Sequence, residues 1–338
     1  GGVFGCSLMM LTSPCPGPLA SRTPLVLADN ESRTVLMSSP KAGATQTTML
    51  MLSMLNLTQE ARSYSNWVHL YRNEVFSKSS AHRRDNVCND CGPAGQWTCV
   101  RFLRSPLDRI VSSYFAWSTN PLEWPELALA CQSCSQNASF AQFVTALAAV
   151  GNHSNMQRSD YDSHVMPQTP LRTCGSEPSR LLSVPVEAMP DALLELDQLR
   201  TLRDAGAVVW QSGHYRVQLV SPQDAAANAS SWPWPRVKDA MLSERLPPYD
   251  SFLTPEICSK LSCLFAADFS AWRRMCAQPE LLRCRSCVRV CTAQLIRFRS
   301  CGCSECDLNI LNTTMQVDRT IALRCRCRIG RALRGRST

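Results

Sequence analysis

Residues 33–57 read RTVLMSSPKAGATQTTMLMLSMLNL. Arg33–Ser38 is a short apolar run bounded by a turn signal, which predicts a buried strand. Pro40–Thr48 is a loop of small and hydroxyl residues. Thr48–Leu57 is apolar and mostly unbranched, which predicts a buried helix that includes Asn56. Strand, loop and helix make half of a βαβ unit. A loop of this kind presents backbone N–H groups to an anion, and the helix N-terminus adds the positive end of its dipole. Lys41 supplies a point charge, and Thr45, Thr47 and Thr48 supply hydroxyls. A Walker A loop places its Lys and Ser/Thr at the end, after two glycines. Here the Lys comes first.

Residues 97–114, WTCVRFLRSPLDRIVSSY, repeat the logic. Trp97–Leu103 predicts a second strand. Pro106 suits the first turn of a helix running to about Trp117. Arg104 then stands at the C-terminal end of a strand, where open α/β sheets bind ligands. Its guanidinium fork suits a phosphate monoester. Ser112, from the second turn of the helix, can return a hydroxyl to the same phosphate. Arg109 shares that face, as added charge or as a partner of Asp108.

Further along, helices are expected at Ser139–Val150, Pro190–Arg203, between Pro233 and Pro248, and at Thr254–Trp272. A strand is expected at Leu181–Val186, with Pro185 near its end. Alternating strands and helices argue for a parallel sheet covered on both faces. Residues 1–30, rich in Pro, Gly and Ser, read as a leader or linker. Residues 31–275 read as the catalytic domain. Residues 276–338 read as a Cys/Arg-rich tail of little helical period and poor order.

The 338 residues carry a net charge of +8 and 45% hydrophobic residues, enough apolar content for a core. Twelve Arg against four acids lie between Cys276 and Thr338, so the basic balance belongs to the tail. The body is close to neutral, and no nucleic-acid partner is expected. Nineteen cysteines are unusual in a reducing compartment. Six Asn-x-Ser/Thr sequons, at Asn30, Asn56, Asn137, Asn152, Asn228 and Asn312, also favour a secretory lumen. Cys88/Cys91, Cys131/Cys134, Cys284/Cys287 and Cys301/Cys303/Cys306 have spacings that zinc or disulfides would both fit. The lumenal hints favour disulfides, whose connectivity the spacing leaves open. No apolar stretch reaches a membrane span. The chain begins at Gly1 without an initiator Met and reads as a fragment, leaving room for an anchor upstream.

Pro-Lys-x-Gly-x-Thr, followed about 60 residues later by Val-Arg-x-x-Arg-x-Pro-x-x-Arg-x-x-Ser-x-Tyr, resembles the two nucleotide-binding motifs of sulfotransferases that use 3′-phosphoadenosine 5′-phosphosulfate (PAPS). The resemblance implies a P-loop NTPase-like three-layer α/β sandwich with a central parallel sheet. It implies that Lys41, Ala42, Gly43, Ala44, Thr45, Gln46 and Thr47 grip the 5′-phosphosulfate. Arg104 and Ser112 would grip the 3′-phosphate. No metal is expected. Arg-Ser-Pro stands where the family more often has Arg-Asp-Pro. Ser139-Phe140-x-x-Phe143, His164-Val165-Met166-Pro167-Gln168, Val186-Glu187 with Asp191, and Leu264-Phe265-x-x-Asp268-Phe269 resemble, in order, segments of the Golgi carbohydrate branch. That implies a glycan acceptor and a type II membrane protein in the Golgi lumen, its anchor outside this chain.

Sulfuryl transfer needs in-line geometry, charge stabilisation and a base for the acceptor hydroxyl. Lys41 is assigned to the charge on the leaving phosphate. His164 and His69 are the candidate bases, since imidazole titrates near about 6.5. Uronyl 2-O-sulfotransferases, which the motifs also resemble, carry their catalytic His in the interval where His69 lies. Glu74 or Glu187 could serve if burial raised them, although a structural role is preferred for Glu187. Two rival classes are a P-loop kinase or NTPase, for which the Walker A loop is missing, and a non-enzymatic Cys-rich secreted glycan-binding protein, which leaves the Lys41 and Arg104 motifs unexplained.

Overall fold

A computed structural model describes residues 25–79, 81–82, 91, 97–119, 137–151, 164–165, 167–168, 181–204, 228–243 and 246–300. The quoted stretch forms strand β2 (Thr34–Ser38), a turn, and helix α1 (Ala44–Met54). Strand β3 (Thr98–Leu103) leads into helix α4 (Pro106–Thr119), and strand β4 (Leu181–Pro185) follows helix α5 (Phe140–Gly151). Among the described residues between α1 and β3 are two short α-helices that the sequence pattern does not announce, α2 (Thr58–Tyr64) and α3 (Val68–Glu74).

Among the described residues the sheet has four strands in the order β1-β2-β3-β4. β2, β3 and β4 run parallel, with Ser38 opposite Phe102 and Leu103 opposite Pro185. Their C-terminal ends therefore lie along one edge, which collects the Ser39–Gly43 loop, Arg104 and Glu187. Strand β1 (Leu25–Asp29) pairs antiparallel with β2. This corrects two expectations: one strand of the sheet is antiparallel, and residues 25–29 are not linker. The β1–β2 turn is fastened by Ser32 N–H donating to Asp29 Oδ2 at 2.7 Å, and antiparallel neighbours need only such a short turn.

Successive residues of a strand face opposite sides. Leu36, Val100 and Phe102 point into the large core, with α1, α4 and α5. Val35, Met37 and Leu181 point into a smaller cluster on the other face, closed by the Cys91–Cys99 disulfide and Trp97. Both faces are covered, as a mostly parallel sheet requires.

The C-terminal part departs most from expectation. Pro190–Arg203 is two helices, α6 (Met189–Glu195) and α7 (Arg200–Asp204), broken at the extended Leu196. Helix α8 (Trp234–Leu242) fills the place between Pro233 and Pro248. Thr254–Trp272 is also two helices, α9 (Pro255–Leu264) and α10 (Ala266–Cys276). The Thr254 side chain caps α9 by accepting from Ile257 N–H. Beyond Cys276, residues 285–300 form helix α11 (Arg285–Ser300). Its buried Cys287, Val288, Cys291, Leu295 and Phe298 recur at helical spacing. Phe298 packs edge-on against Phe269 at 4.8 Å, and Cys276–Cys291 ties α11 to α10. At least to Phe298, the tail belongs to the same core. Residues 301–338 lie outside the described residues.

Candidate active site

The loop after β2 is tight and left-handed in two places. Ala42 N–H donates to Ser39 O at 2.9 Å, closing a turn. Lys41 has φ 62 and Gly43 has φ 82. A left-handed Lys is uncommon and signals a backbone held by its surroundings. At Gly43 only glycine fits: a Cβ there would sit 2.2 Å from Val186 Cγ2. Gly43 is the N-cap of α1, and the first intrahelical bond runs from Thr47 N–H to Gly43 O at 2.8 Å. The N–H groups of Ala44, Thr45 and Gln46 precede it and face outward from the helix end, as in any anion-binding N-terminus.

Two arginines of the second segment hold this loop by its carbonyls. Arg104 Nη1 donates to Lys41 O at 3.1 Å, and Arg109 Nε donates to Pro40 O at 3.0 Å. The two sequence motifs, 63 residues apart, are thus one structure. Arg104 is half-buried. Its guanidinium lies 5.7 Å from the Tyr249 ring centroid and 3.7 Å from Glu187 Oε1.

Arg104 is itself clamped through its backbone. Gln168 Oε1 accepts from Arg104 N–H at 3.0 Å, and Gln168 Nε2 donates to Arg104 O at 2.9 Å. Gln168 N–H donates to Asp268 Oδ2 at 2.9 Å, and that oxygen lies 3.9 Å from Arg109 Nη1. Asp268 and Arg109 are both buried. Burial pulls the Arg109 pKa down to about 10 while the Asp268 carboxylate opposes the shift, so the guanidinium stays charged near neutrality. A buried charge needs such a partner. Arg109 therefore braces the loop from inside and does not pair with Asp108. Asp108 is taken by α11: it accepts from Gln294 Nε2 at 3.0 Å and pairs with Arg297.

The remaining candidates are placed unevenly. Ser112 is half-buried on α4. The Thr47 and Thr48 hydroxyls turn away from the loop and donate to Gly43 O and Ala44 O, at 2.9 and 2.8 Å. Both threonines are buried, so Thr45 is the one hydroxyl of the three left at the loop. Thr45 Oγ1 lies 2.9 Å from His69 Nε2, which brings His69 to the loop. His164 is half-buried, and its backbone carbonyl accepts from Ser113 Oγ at 2.5 Å. Glu74 accepts from the Tyr64 hydroxyl on an exposed face. Glu187 keeps a third of its side chain open. The protein around it still desolvates it, and burial raises its carboxyl to about 7 against the opposing pull of Arg104.

All eight described cysteines are disulfide-bonded. They include Cys91–Cys99, Cys276–Cys291 and Cys284–Cys287. The other zinc-like spacings lie outside the described residues. Arg72, Tyr249 and Arg297 are neighbours of the site that sequence spacing does not single out, since each reaches it only through packing of separate helices.

A family profile described as "Sulfotransferase family" matches residues 28–202, just over half of the chain. The match spans both loop segments and ends before Asp268. No curated protein and no solved structure is significantly similar to the chain.

Proposed function

Since the chain belongs to the sulfotransferase family, we propose that it transfers a sulfuryl group from PAPS to a hydroxyl of a carbohydrate, in a P-loop-like α/β sandwich. The observation that carries the proposal is the bond from Arg104 Nη1 to Lys41 O, which unites the two motifs at one edge of the sheet. The residues fit an anionic donor. The N–H groups of Ala44, Thr45 and Gln46 and the Lys41 charge suit a phosphosulfate. Gly43 lets the backbone approach it closely. Arg104 and Ser112 suit a phosphate monoester. PAPS supplies the activated sulfuryl group. Lys41 stabilises the charge that develops on the bridging oxygen, and His164 takes the acceptor's proton. The His164 segment supports that role, because Gln168, four residues on, is bonded to the Arg104 backbone.

The glycan acceptor rests on the Golgi-like segments around His164, Glu187 and Asp268. A Golgi lumen is supported by the six sequons and the bonded cysteines. Among the described residues no helix is long and apolar enough to cross a membrane. The donor side is tested by retention on immobilised adenosine 3′,5′-bisphosphate. Elution by free bisphosphate is expected, and K41A and R104A should each weaken retention. Preferential, magnesium-dependent capture by ATP would instead make the protein a kinase or NTPase.

A further inference from the structure

His69 sits between two partners whose chemistry fixes its protonation. Arg72 Nη1 lies 2.8 Å from Nδ1, and Thr45 Oγ1 lies 2.9 Å from Nε2. A guanidinium has donors and no acceptor, so Nδ1 must be the acceptor. The ring is then neutral with its proton on Nε2, and Nε2–H donates to Thr45 Oγ1. Trp67 meets the ring edge-on at 5.8 Å and further limits its rotation. With Oγ1 occupied as an acceptor, the Thr45 hydroxyl proton is left to donate elsewhere. Of the three loop threonines, it is Thr47 and Thr48 that bond back to carbonyls four residues earlier, so the Thr45 proton is not spent on the helix. Among the described residues Thr45 makes no other side-chain hydrogen bond.

We infer that His69 is a positioning residue and not the base: Arg72 sets its tautomer, and His69 in turn orients the Thr45 hydroxyl as a donor into the anion-binding loop. For Nε2 to accept a proton from a sugar hydroxyl, the ring proton would have to move to Nδ1. There it would face the Arg72 guanidinium, donor against donor at 2.8 Å. The inference rests on the proposed donor site and assigns the order of the relay, Arg72 to His69 to Thr45 to the phosphosulfate.

The test compares H69A, H69Q, R72M, T45V and H69A/T45V, with PAPS binding measured by calorimetry and kcat followed across pH. A Gln amide can reproduce the Nε2–H donor but cannot act as a base. H69A should weaken PAPS binding by about ten- to a hundredfold, as loss of a hydrogen bond to a charged group does. H69Q should recover most of that loss and keep the wild-type pH profile of kcat. R72M should fall between them, and H69A/T45V should be no worse than T45V alone. If H69Q is as impaired in kcat as H69A and loses the limb of the pH profile assigned to the base, His69 is the base and the relay is wrong. If the wild type binds PAPS but H69A binds it equally well, the relay is also wrong. Failure of the wild type to bind PAPS at all would instead overturn the proposed donor.

Discussion

Replacing Gly43 by alanine perturbs the loop after β2 at its most constrained point. The new Cβ would lie 2.2 Å from Val186 Cγ2, and φ 82 would have to be held by a residue with a side chain. The left-handed conformation costs a non-glycine residue roughly 1–2 kcal/mol. Overpacking a buried contact adds about 1–3 kcal/mol. The sum is about 2–5 kcal/mol if the backbone stays in place. The loop can instead swing off Val186, which trades stability for a misplaced helix N-terminus. Urea denaturation reads the first cost, and calorimetric titration with adenosine 3′,5′-bisphosphate reads the second. The two losses together should reach at least about 2 kcal/mol, or more than tenfold in affinity if the loop moves. The structure also separates the terms. V186A removes the clashing methyl, and the next atom of that side chain, Cβ, is 3.4 Å away. G43A/V186A should therefore recover the steric part and keep only the conformational part, a coupling of about 1–3 kcal/mol in a double-mutant cycle. G43A with wild-type stability and wild-type affinity would refute the described loop. A cycle that closes with no coupling would refute the Gly43–Val186 contact.

Three further outcomes follow from other contacts. Glu187 is raised from 4.5 to about 7 by burial. Its folded carboxyl holds a proton that the unfolded one has released, so its contribution to stability falls as pH rises from 4.5 to about 7. Once ionised beside Arg104 it competes with an anionic donor, so bisphosphate affinity should also fall as pH rises through about 7; E187Q should flatten both dependences. D268N keeps an acceptor for Gln168 N–H but removes the Asp268 charge from beside buried Arg109, a loss of about 3–5 kcal/mol that thermal and urea unfolding would register. C276S/C291S opens a loop of 15 residues, so about 3 kcal/mol of stability should be lost under non-reducing conditions. Unchanged unfolding in either of these last two variants would contradict the packing of α10 and α11 described above.

How much of this was legible in the sequence depends on how local the signal is. β2 with its loop, and β3 with α4, could be read because each combines an apolar run with a residue of fixed meaning: Gly43 at the turn, Pro106 at the helix start. β1 is hidden because four apolar residues and an Asp, next to Pro24 and a Ser/Thr/Pro stretch, carry no period of their own. Its identity comes from pairing with β2. Asn56 continues the apolar run of α1 in sequence, yet it follows the helix with φ 58, a left-handed position that Asn tolerates. The helices joined in the sequence at Leu196 and Phe265 break there although the apolar face continues through both residues, which are buried. α11 gives no plain apolar period because its stripe is built partly of cysteines, whose spacing reads first as that of bridges or metal ligands.

The site divides along the same line. Lys41, Gly43 and Arg104 announce themselves by local motif. Their mutual contact, the Gln168 clamp and the Asp268–Arg109 pair depend on segments 60 to 160 residues apart, and only tertiary packing brings them together. The Arg109–Asp108 pairing suggested by adjacency gives way because Asp108 faces α11 and Arg109 faces the interior. Gln168 and Asp268 act in series: Gln168 holds the Arg104 backbone at both its N–H and its carbonyl, and Asp268 holds Gln168 by its N–H.

Sulfuryl transfer itself can be measured directly. Radiolabelled PAPS is incubated with the protein and a panel of desulfated polysaccharides, with K41A in parallel. Label is expected in at least one polysaccharide, and K41A, which removes the charge proposed to act at the bridging oxygen, should reduce its incorporation by orders of magnitude. A folded wild-type protein that transfers no label to any acceptor, or a K41A variant that transfers it as fast as wild type, would contradict sulfuryl transfer at this loop.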